Sequence, residues 1–432
     1  MNRLIYSLML ALLTPLIWLY FIFRGIKDSD YFSGFGERLG FAPKLACESV
    51  IHIHCASVGE TRAALPLVKK LLQLYPEHDL LITCTTPTGK QEIRNFIQHL
   101  GEKRIKLIYL PIDWIGACNR FIERVKPQLS ILIETELWPN LIFSLKRQAV
   151  PILLANGRMS DSAMQKYFKL AHFSQSFFSK IDRVMAQYQE DSEHYLRLGV
   201  AFDRISICGN IKYDLEISAQ LIEQQQALRN QWSEHRPCWI AASIHPAEFS
   251  IVLKAHKELL QRFPDLLLIA VARHPERFFE LKKTVIQHSL NYVLRSQNQT
   301  PSSQHSVIIG DTMGEMMQFY GAADVAFVGG SMIGHGGQNP IEPAACGLPV
   351  VMGPSYYNFS FVAQEMQNLG VLNIIEAPLP DAQTATLSQA VSRLLGDHQA
   401  LLDSEKASRQ LFKNNQGALE QTLQAVDQLL TK

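Results

Sequence analysis

Phe327-Val328-Gly329-Gly330-Ser331-Met332-Ile333-Gly334-His335-Gly336-Gly337-Gln338-Asn339-Pro340-Ile341-Glu342-Pro343-Ala344-Ala345-Cys346-Gly347-Leu348-Pro349-Val350-Val351-Met352-Gly353-Pro354 runs near the end of the chain. An apolar run opens it, a loop rich in glycine follows, and Asn-Pro starts a short helix before a second apolar run. Strand, loop, helix and strand in that order make one unit of a parallel α/β sheet. Glycines let backbone approach a ligand closely, and the first N–H groups of a helix are free to meet phosphate. Glu342 lies near the start of that helix, where a carboxylate can hold sugar hydroxyls. The layout suits the nucleotide half of a sugar-nucleotide transferase; an ordinary strand–turn–helix is the plainer alternative.

The same alternation extends outward. Short β-rich runs at 50–56, 80–85, 105–110, Leu129–Ile133 and 152–155 are separated by helical stretches such as 61–75. The pattern breaks at 215–231, a polar, glutamine-rich helix that reads as a linker. A second set follows at 239–242, 266–271, Tyr292–Leu294, Val307–Ile309, Val325–Val328 and 349–352, with a polar loop at 296–306 inside it. Alternating strand and helix predicts two doubly wound, Rossmann-like domains facing across a cleft, with ligand at the carboxyl ends of the strands. The expected division is an anchor helix at 1–25, a first domain at 26–215, a linker helix at 216–232, a second domain at 233–412, and a C-terminal segment at 413–432 that packs back on the first domain.

Residues 4–23 are almost wholly apolar and uncharged, with Arg3 before them and Arg24 and Lys27 after. About 20 such residues span a bilayer core. The stretch is long for a cleaved leader, no small-x-small site follows, and Pro15 is tolerated in membrane helices. A retained anchor or interfacial helix is expected, with the basic residues after it favouring a cytoplasmic body. A buried amphipathic helix is the alternative.

Composition sets the remaining limits. The chain has 432 residues, 47% hydrophobic, and a net charge of +1, so two domains are natural and nothing points to nucleic acid. The seven cysteines, at 47, 55, 84, 118, 208, 238 and 346, have neither metal-ligand nor redox spacing and read as reduced thiols. Asp28-Ser29-Asp30 matches the loose Asp-x-Asp pattern of metal-dependent sugar transferases, but it sits beside the anchor rather than after a core strand. His52 and His54 share one face of a buried-looking strand and are expected to be packed or hydrogen-bonded rather than metal ligands.

Six segments then carry a resemblance. His54-Cys55-Ala56-Ser57-Val58-Gly59-Glu60, Glu134-Thr135-Glu136-Leu137-Trp138-Pro139-Asn140, Gly209-Asn210-Ile211-Lys212-Tyr213-Asp214, Arg273-His274-Pro275-Glu276-Arg277-Phe278, Gly310-Asp311-Thr312-Met313-Gly314-Glu315 and Asn339-Pro340-Ile341-Glu342 resemble those of the 3-deoxy-D-manno-octulosonic acid (Kdo) transferases, glycosyltransferase family 30. The likeness covers nearly the whole chain, including the anchor and Gly36-Glu37-Arg38 after it. It implies a GT-B enzyme on the cytoplasmic face of the bacterial inner membrane. Such an enzyme moves Kdo from CMP-Kdo to the acylated disaccharide bisphosphate precursor of lipid A (lipid IVA) in lipopolysaccharide synthesis, with inversion and without a metal or other cofactor. Another GT-B enzyme using a UDP-sugar, or a non-catalytic carbohydrate-binding scaffold, are the rivals.

By the same resemblance, Glu60 is the general base that takes the acceptor's proton. Ser57-x-x-Glu60 also matches a helix capping box, so both readings stand. Glu134 and Lys212 match positions credited with stabilising the transition state, and an ammonium at Lys212 suits the phosphate charge gathering on the leaving CMP. Glu136 is close enough in sequence that chemistry alone does not separate it from Glu134. The CMP site is expected at Ala272, Arg273, Met313, Gly314, Glu315, Asn339, Pro340, Ile341 and Glu342, with Met313 to Glu315 opening a helix. Ala272 stands where relatives often carry proline, so the turn there is expected to differ.

Overall fold

A computed structural model describes residues 2–27, 29–43, 49–215, 217–233, 236–376 and 380–431. Asp28 of the Asp-x-Asp match, Cys47 and the first residue of the expected linker lie outside them. The chain divides into two compact units, Met1–Asp214 with Asn415–Lys432, and Leu215–Asn414.

The first unit is built on strands β1 (Val50–His54), β2 (Asp79–Cys84), β3 (Ile105–Tyr109), β4 (Leu129–Ile133), β5 (Ile152–Gly157), β6 (Arg183–Ala186) and β7 (Ile205–Ile207), in the order β3-β2-β1-β4-β5-β6-β7. The second is built on β8 (Cys238–Ile244), β9 (Leu267–Ala272), β10 (Tyr292–Leu294), β11 (Val307–Ile309), β12 (Val325–Val328), β13 (Val350–Met352) and β14 (Leu372–Ile374), in the order β10-β11-β9-β8-β12-β13-β14. Every pairing is parallel. This is the doubly wound pair of sheets expected from the alternation. Three strands escape the sequence reading: β6, β7 and β14 are only three or four residues long, and Arg183, Ser206 and Asn373 interrupt their apolar pattern. Beside a completed sheet, such short strands need little hydrophobicity of their own.

Both faces of each sheet are covered, which is why the central strands read as unbroken apolar runs. In the first unit Ile51, Ile53, Ile131 and Ile133 pack with the helix Val58–Leu74, while Leu132 packs on the other side with the helix Pro139–Arg147. The chain therefore leaves β1 and β4, which are neighbours, towards opposite faces. In the second unit Trp239, Ala241 and Phe327 pack with the helix Pro246–Arg262, and Ile240 and Ala326 pack with Leu228 and Trp232 of the helix Ala219–Ser233. The polar stretch read as a linker is thus one wall of the second unit's core.

The N-terminal helix Arg3–Lys27 is long and apolar enough to cross a membrane by length and composition. It is not detached from the first unit. Arg3 Nε and Ser7 Oγ bond to Asn140 Oδ1 at 2.9 and 3.3 Å, Tyr6 Oη donates to Asp113 at 2.9 Å, and Trp18 lies on Phe35 with ring centroids 4.4 Å apart. Arg3, Tyr6, Ser7 and Trp18 recur on one side of the helix and meet the body. Leu4, Leu8, Leu12, Leu16 and Leu19 form the other side and are exposed.

The C-terminal helix Ala418–Leu430 buries Ala418, Ala425, Val426 and Leu429 in the first unit's core. Its N-cap is Gly417, which has no side chain to offer. Asp214 supplies the cap from the other end of the unit, accepting from the N–H groups of Leu419 at 2.7 Å and Gly417 at 3.3 Å. A helix cap contributes roughly 1 kcal/mol. Asp214→Ala is expected to lower the first unit's stability by about 1–2 kcal/mol in urea unfolding, because the lost acceptor is a carboxylate at a helix N-terminus; an unchanged midpoint would contradict this role.

Candidate active site

In an open parallel sheet, ligands bind beyond the carboxyl ends of adjacent strands whose continuations leave to opposite faces. The first sheet meets that condition between β1 and β4. Glu60 follows β1 and Glu134 follows β4 directly. Lys212 comes after β7 and reaches Glu134, with Nζ 2.6 Å from Oε1. Glu60, Glu134 and Lys212, far apart in sequence, are therefore brought to one edge of one sheet.

Glu60 lies in the first turn of its helix, whose N-cap is Ser57. Ser57 Oγ accepts the Glu60 N–H at 3.3 Å, Glu60 Oε1 accepts the Ser57 hydroxyl at 2.9 Å, and Oε2 accepts the Ala56 N–H at 2.7 Å. Half of the expected capping box is thus present: Ser57 caps the Glu60 N–H, but the Glu60 carboxylate reaches the Ala56 N–H rather than the Ser57 N–H. A carboxylate used only as a cap is stabilised by the helix N-terminus, which lowers its pKa. Glu60 goes the other way. Burial first, then the neighbouring carboxylates of Glu136 and Glu134, raise it to about 8 against the pull of those two hydrogen bonds. A carboxyl held that far from its ordinary range beside an ion pair makes Glu60 a candidate for chemistry as well as for capping.

Glu134 is held in the left-handed region, at φ +58°, while its N–H bonds to the Ala155 carbonyl at 3.0 Å. A non-glycine residue there costs on the order of 1–3 kcal/mol, and such strain collects at functional sites. Asn156, at φ +54°, lies one strand further on. Its Oδ1 accepts the Ile211 N–H at 3.0 Å, its carbonyl accepts Gln187 Nε2 at 3.0 Å, and Gln187 in turn holds Asn210. Asn210 Oδ1 then accepts the Lys212 N–H at 3.0 Å. This chain of amides sets the turn that carries Lys212. The sequence reading did not single out Asn156 or Gln187, because their roles depend on strands β5, β6 and β7 lying side by side.

Glu136 is separable from Glu134. Its Oε2 accepts Trp138 Nε1 at 3.0 Å and lies 3.8 Å from His54 Nε2, whereas Glu134 takes the lysine. His52 and His54 are fully buried and packed, as expected. His52 bridges Ser130 and Thr83, both at 2.9 Å, and His54 Nδ1 meets Thr83 Oγ1 at 2.9 Å. Burial pushes His52 down to about 3, so it is neutral.

In the second unit the same crevice condition falls between β8 and β12, and the glycine-rich loop follows β12. Gly329 is required there: a Cβ would stand 2.5 Å from the Ser243 carbonyl oxygen. Glu248, fully buried, ties the loop to the helix after β8, accepting from the N–H groups of Gly330 at 2.7 Å, Met332 at 3.0 Å and His245 at 3.0 Å. His245 stacks on His335 of the loop, with centroids 4.6 Å apart. Neither Glu248 nor the histidine stack was legible in the sequence, although Glu248 at the third position of a Pro-led helix was an available capping signal.

The expected nucleotide residues are spread along this edge. Ala272 ends β9 and is buried, and Arg273 follows it exposed, its N–H held by the Ile244 carbonyl at 2.9 Å. Asn339 precedes the helix Ile341–Ala345, capping Ile341 N–H at 3.1 Å and donating to Glu342 Oε1 at 3.1 Å, with Pro340 as its N-cap. The stretch Met313 to Glu315 differs from expectation. The helix starts at Met316, and these residues form the turn before it, with Gly314 at φ +83° and Met313 exposed. Glu315 is already paired with Arg295, Nη2 to Oε1 at 2.6 Å, and accepts the Thr312 hydroxyl; the arginine holds its carboxyl below the usual range.

Residues 33–215 match the family model described as 3-deoxy-D-manno-octulosonic-acid transferase (kdotransferase). The 3-deoxy-D-manno-octulosonic acid transferase of Haemophilus influenzae is 37% identical over 98% of this chain and 97% of its own. The chain belongs to the Kdo transferase family. The Bordetella pertussis enzyme of the same name is 33% identical over 100% of both chains. The solved structure of MurG from Acinetobacter baumannii covers 90% of this chain and 100% of its own at 12% identity and a TM-score of 0.52, a likeness of GT-B fold. As a Kdo transferase this is a glycosyltransferase of lipopolysaccharide synthesis, and Glu60, Glu134, Glu136 and Lys212 are charged groups gathered at its first sheet's crevice.

The raised pKa of Glu60 has a consequence for stability. Folding favours the neutral carboxyl, so the stability it contributes is complete below the ordinary glutamate pKa and is lost as pH rises through about 8. Glu60→Gln stays neutral. Between about pH 4.5 and 8 the wild type is expected to lose about 5 kcal/mol relative to Glu60→Gln in denaturant titrations; parallel pH curves would contradict the raised value.

Proposed function

We propose that this chain transfers Kdo from CMP-Kdo to the acylated disaccharide bisphosphate precursor of lipid A, lipid IVA, at the cytoplasmic face of the bacterial inner membrane, inverting the anomeric centre. The observation that carries the reading is Glu60: a nearly buried carboxyl with its pKa raised to about 8, at the first sheet's crevice beside the Glu134–Lys212 pair. The first unit binds the acceptor and the second binds the CMP-sugar. The exposed apolar side of the N-terminal helix gives the membrane attachment.

In this mechanism Glu60, ionised, removes the proton from the acceptor hydroxyl as its oxygen attacks the anomeric carbon of Kdo, and the bond to the CMP phosphate breaks. The attack comes from the side opposite the leaving group, which is what inverts the centre. Ser57 is hydrogen-bonded to Oε1, and rotation of its hydroxyl frees that oxygen for the incoming proton. Oε2 stays on the Ala56 N–H and keeps the carboxylate oriented. Lys212, held by Glu134, offsets the charge gathering on the phosphate, and Glu134 favours the cationic character of the sugar. Arg273, Asn339 and Glu342 bind the nucleotide and its phosphate, with Met313 and Gly314 beside them; Glu315 acts by fixing its turn through Arg295. Protein groups supply every role in this scheme, and no metal or cofactor takes part in it.

Two measurements test the scheme. A base with a pKa near 8 in the free enzyme makes kcat/KM rise about tenfold per pH unit below that value and level off above it. Glu60→Gln is expected to lower turnover by about a hundred- to ten-thousandfold while binding CMP normally. A stable Glu60→Gln variant with near-normal turnover would leave Glu60 as a cap alone.

Calorimetry with CMP separates the two units. Arg273→Ala and Glu342→Ala are each expected to weaken CMP binding by about ten- to a hundredfold, the worth of a charge-assisted hydrogen bond, and Glu60→Ala to leave it unchanged. Preference for UDP over CMP would overturn the donor assignment, and equal loss in all three variants would overturn the division of roles.

A further inference from the structure

A cavity of about 500 Å³ lies within the first unit, between the N-terminal helix and the segment that follows β3. This is in the range of roughly 300–1,000 Å³ typical of small-molecule sites. Its walls are mainly apolar: Leu10, Leu13 and Ile17 on the helix side, Leu110, Pro111 and Ile112 on the other. Arg38 also lines it. Only 4% of Arg38 is exposed, and its Nε and Nη2 are buried with no hydrogen-bond partner. Nη1 makes a long bond to the Thr85 carbonyl at 3.3 Å, and the guanidinium lies over the Tyr109 ring at 3.8 Å.

The Phe21 ring faces the guanidinium at 4.7 Å and Glu37 acts on it through space, but no carboxylate among the described residues forms an ion pair with it. Neighbouring Glu37 is taken by Lys90 at 2.9 Å and by the Tyr109 N–H at 2.8 Å. Asp113, also at the cavity, accepts from the N–H groups of Asn140 and Leu141 and from Tyr6. A buried guanidinium left without an acid is a standing demand for an anion, and the walls beside it demand a hydrocarbon. Arg is also the side chain best shaped to take a phosphate or carboxylate on two N–H groups. A ligand carrying both an acyl chain and an anionic group answers both demands.

The cavity is also linked to the candidate active site by a short chain of hydrogen bonds. Thr85 and Thr86 line it, and their hydroxyls donate to the Ala56 carbonyl at 2.9 and 3.4 Å. The N–H of that same residue is held by Glu60 at 2.7 Å. A lipid seated here therefore lies against the threonines that hold the residue orienting Glu60.

We propose that this cavity binds an acyl chain of the acceptor lipid, with Arg38 holding an anionic group of the same molecule, so that the N-terminal helix is one wall of the acceptor site as well as a membrane attachment. The proposal rests on the reading of an acylated, phosphorylated acceptor made above. Bulk phospholipid is the competing occupant, and the adjacency to Glu60 is the reason for choosing the acceptor.

The test uses the full chain in detergent micelles. A lipid A precursor with a diazirine in one acyl chain is expected to label the helix residues 10–17 or residues 110–112, and Leu13→Trp, which fills the cavity, is expected to cut that label at least fivefold. In turnover, Leu13→Trp and Arg38→Met are expected to raise KM for the acylated acceptor about tenfold or more and to change KM for the deacylated disaccharide bisphosphate less than threefold, with Arg38→Lys recovering part of the loss. Melting curves for each variant check that it is folded. Label that falls elsewhere, or that Leu13→Trp does not reduce, would overturn the proposal. So would efficient competition by phosphatidylglycerol together with unchanged KM for the acylated acceptor. A wild-type enzyme that is labelled in the cavity but transfers no Kdo would instead sink the acceptor reaction and leave the lipid site standing.

Discussion

The pairing of β1 with β4 is the constraint on which the first unit's chemistry depends. Ile51 to His54 lie in register with Leu129 to Leu132, so the chain emerging from each strand starts at the same edge. The two continuations then separate to opposite faces and leave that edge open. Glu60 and Glu134 are consequences of this register. One residue of slippage would turn alternate side chains of β1 to the other face and move Glu60 away from its neighbours. The buried network of His52 with Ser130 and Thr83 spans β4, β1 and β2, and works against such slippage because its polar atoms would lose their partners.

Three carboxylates at one edge with a single nearby ammonium is an unfavourable collection of charge. The structure resolves it by giving each carboxylate a different partner. Glu134 takes Lys212, Glu136 takes the Trp138 indole and faces His54, and Glu60 is left with a hydroxyl and one backbone N–H. The pKa of Glu60 rises because it is the most buried of the three and stands beside the carboxylates of Glu136 and Glu134. The left-handed backbone at Glu134 belongs to the same arrangement, since it fixes where the ion pair stands relative to β4. The second unit handles its buried acid differently. Glu248 accepts three backbone N–H groups from two segments, and so acts as a clamp on the glycine-rich loop.

The N-terminal helix is tied to the body beside this edge. Its polar residues, which an isolated bilayer-spanning helix would have to hide, bond to Asn140 and Asp113 of the body. Asp113 also accepts the N–H of Asn140, at the start of the helix after β4. The apolar helix and the sheet edge are thus connected through a few hydrogen bonds rather than through a flexible tether.

The sequence by itself determined the doubly wound architecture, since runs buried on both faces stay apolar throughout and helices with one buried face do not. It also singled out Glu60, Glu134 and Lys212, through motifs whose order and spacing resemble the Kdo transferases, and the glycine-rich loop, through its run of glycines between two apolar stretches. The short strands β6, β7 and β14 were hidden because position in a finished sheet, rather than their own hydrophobicity, makes them strands. Only the tertiary structure decided which acid pairs with Lys212, why Glu60 is hard to ionise, that Asp214 caps a helix begun some 200 residues later, and that Arg38 is buried without an acid. Each of these depends on distances between segments remote in sequence, and on the dielectric that burial imposes, neither of which a linear pattern encodes.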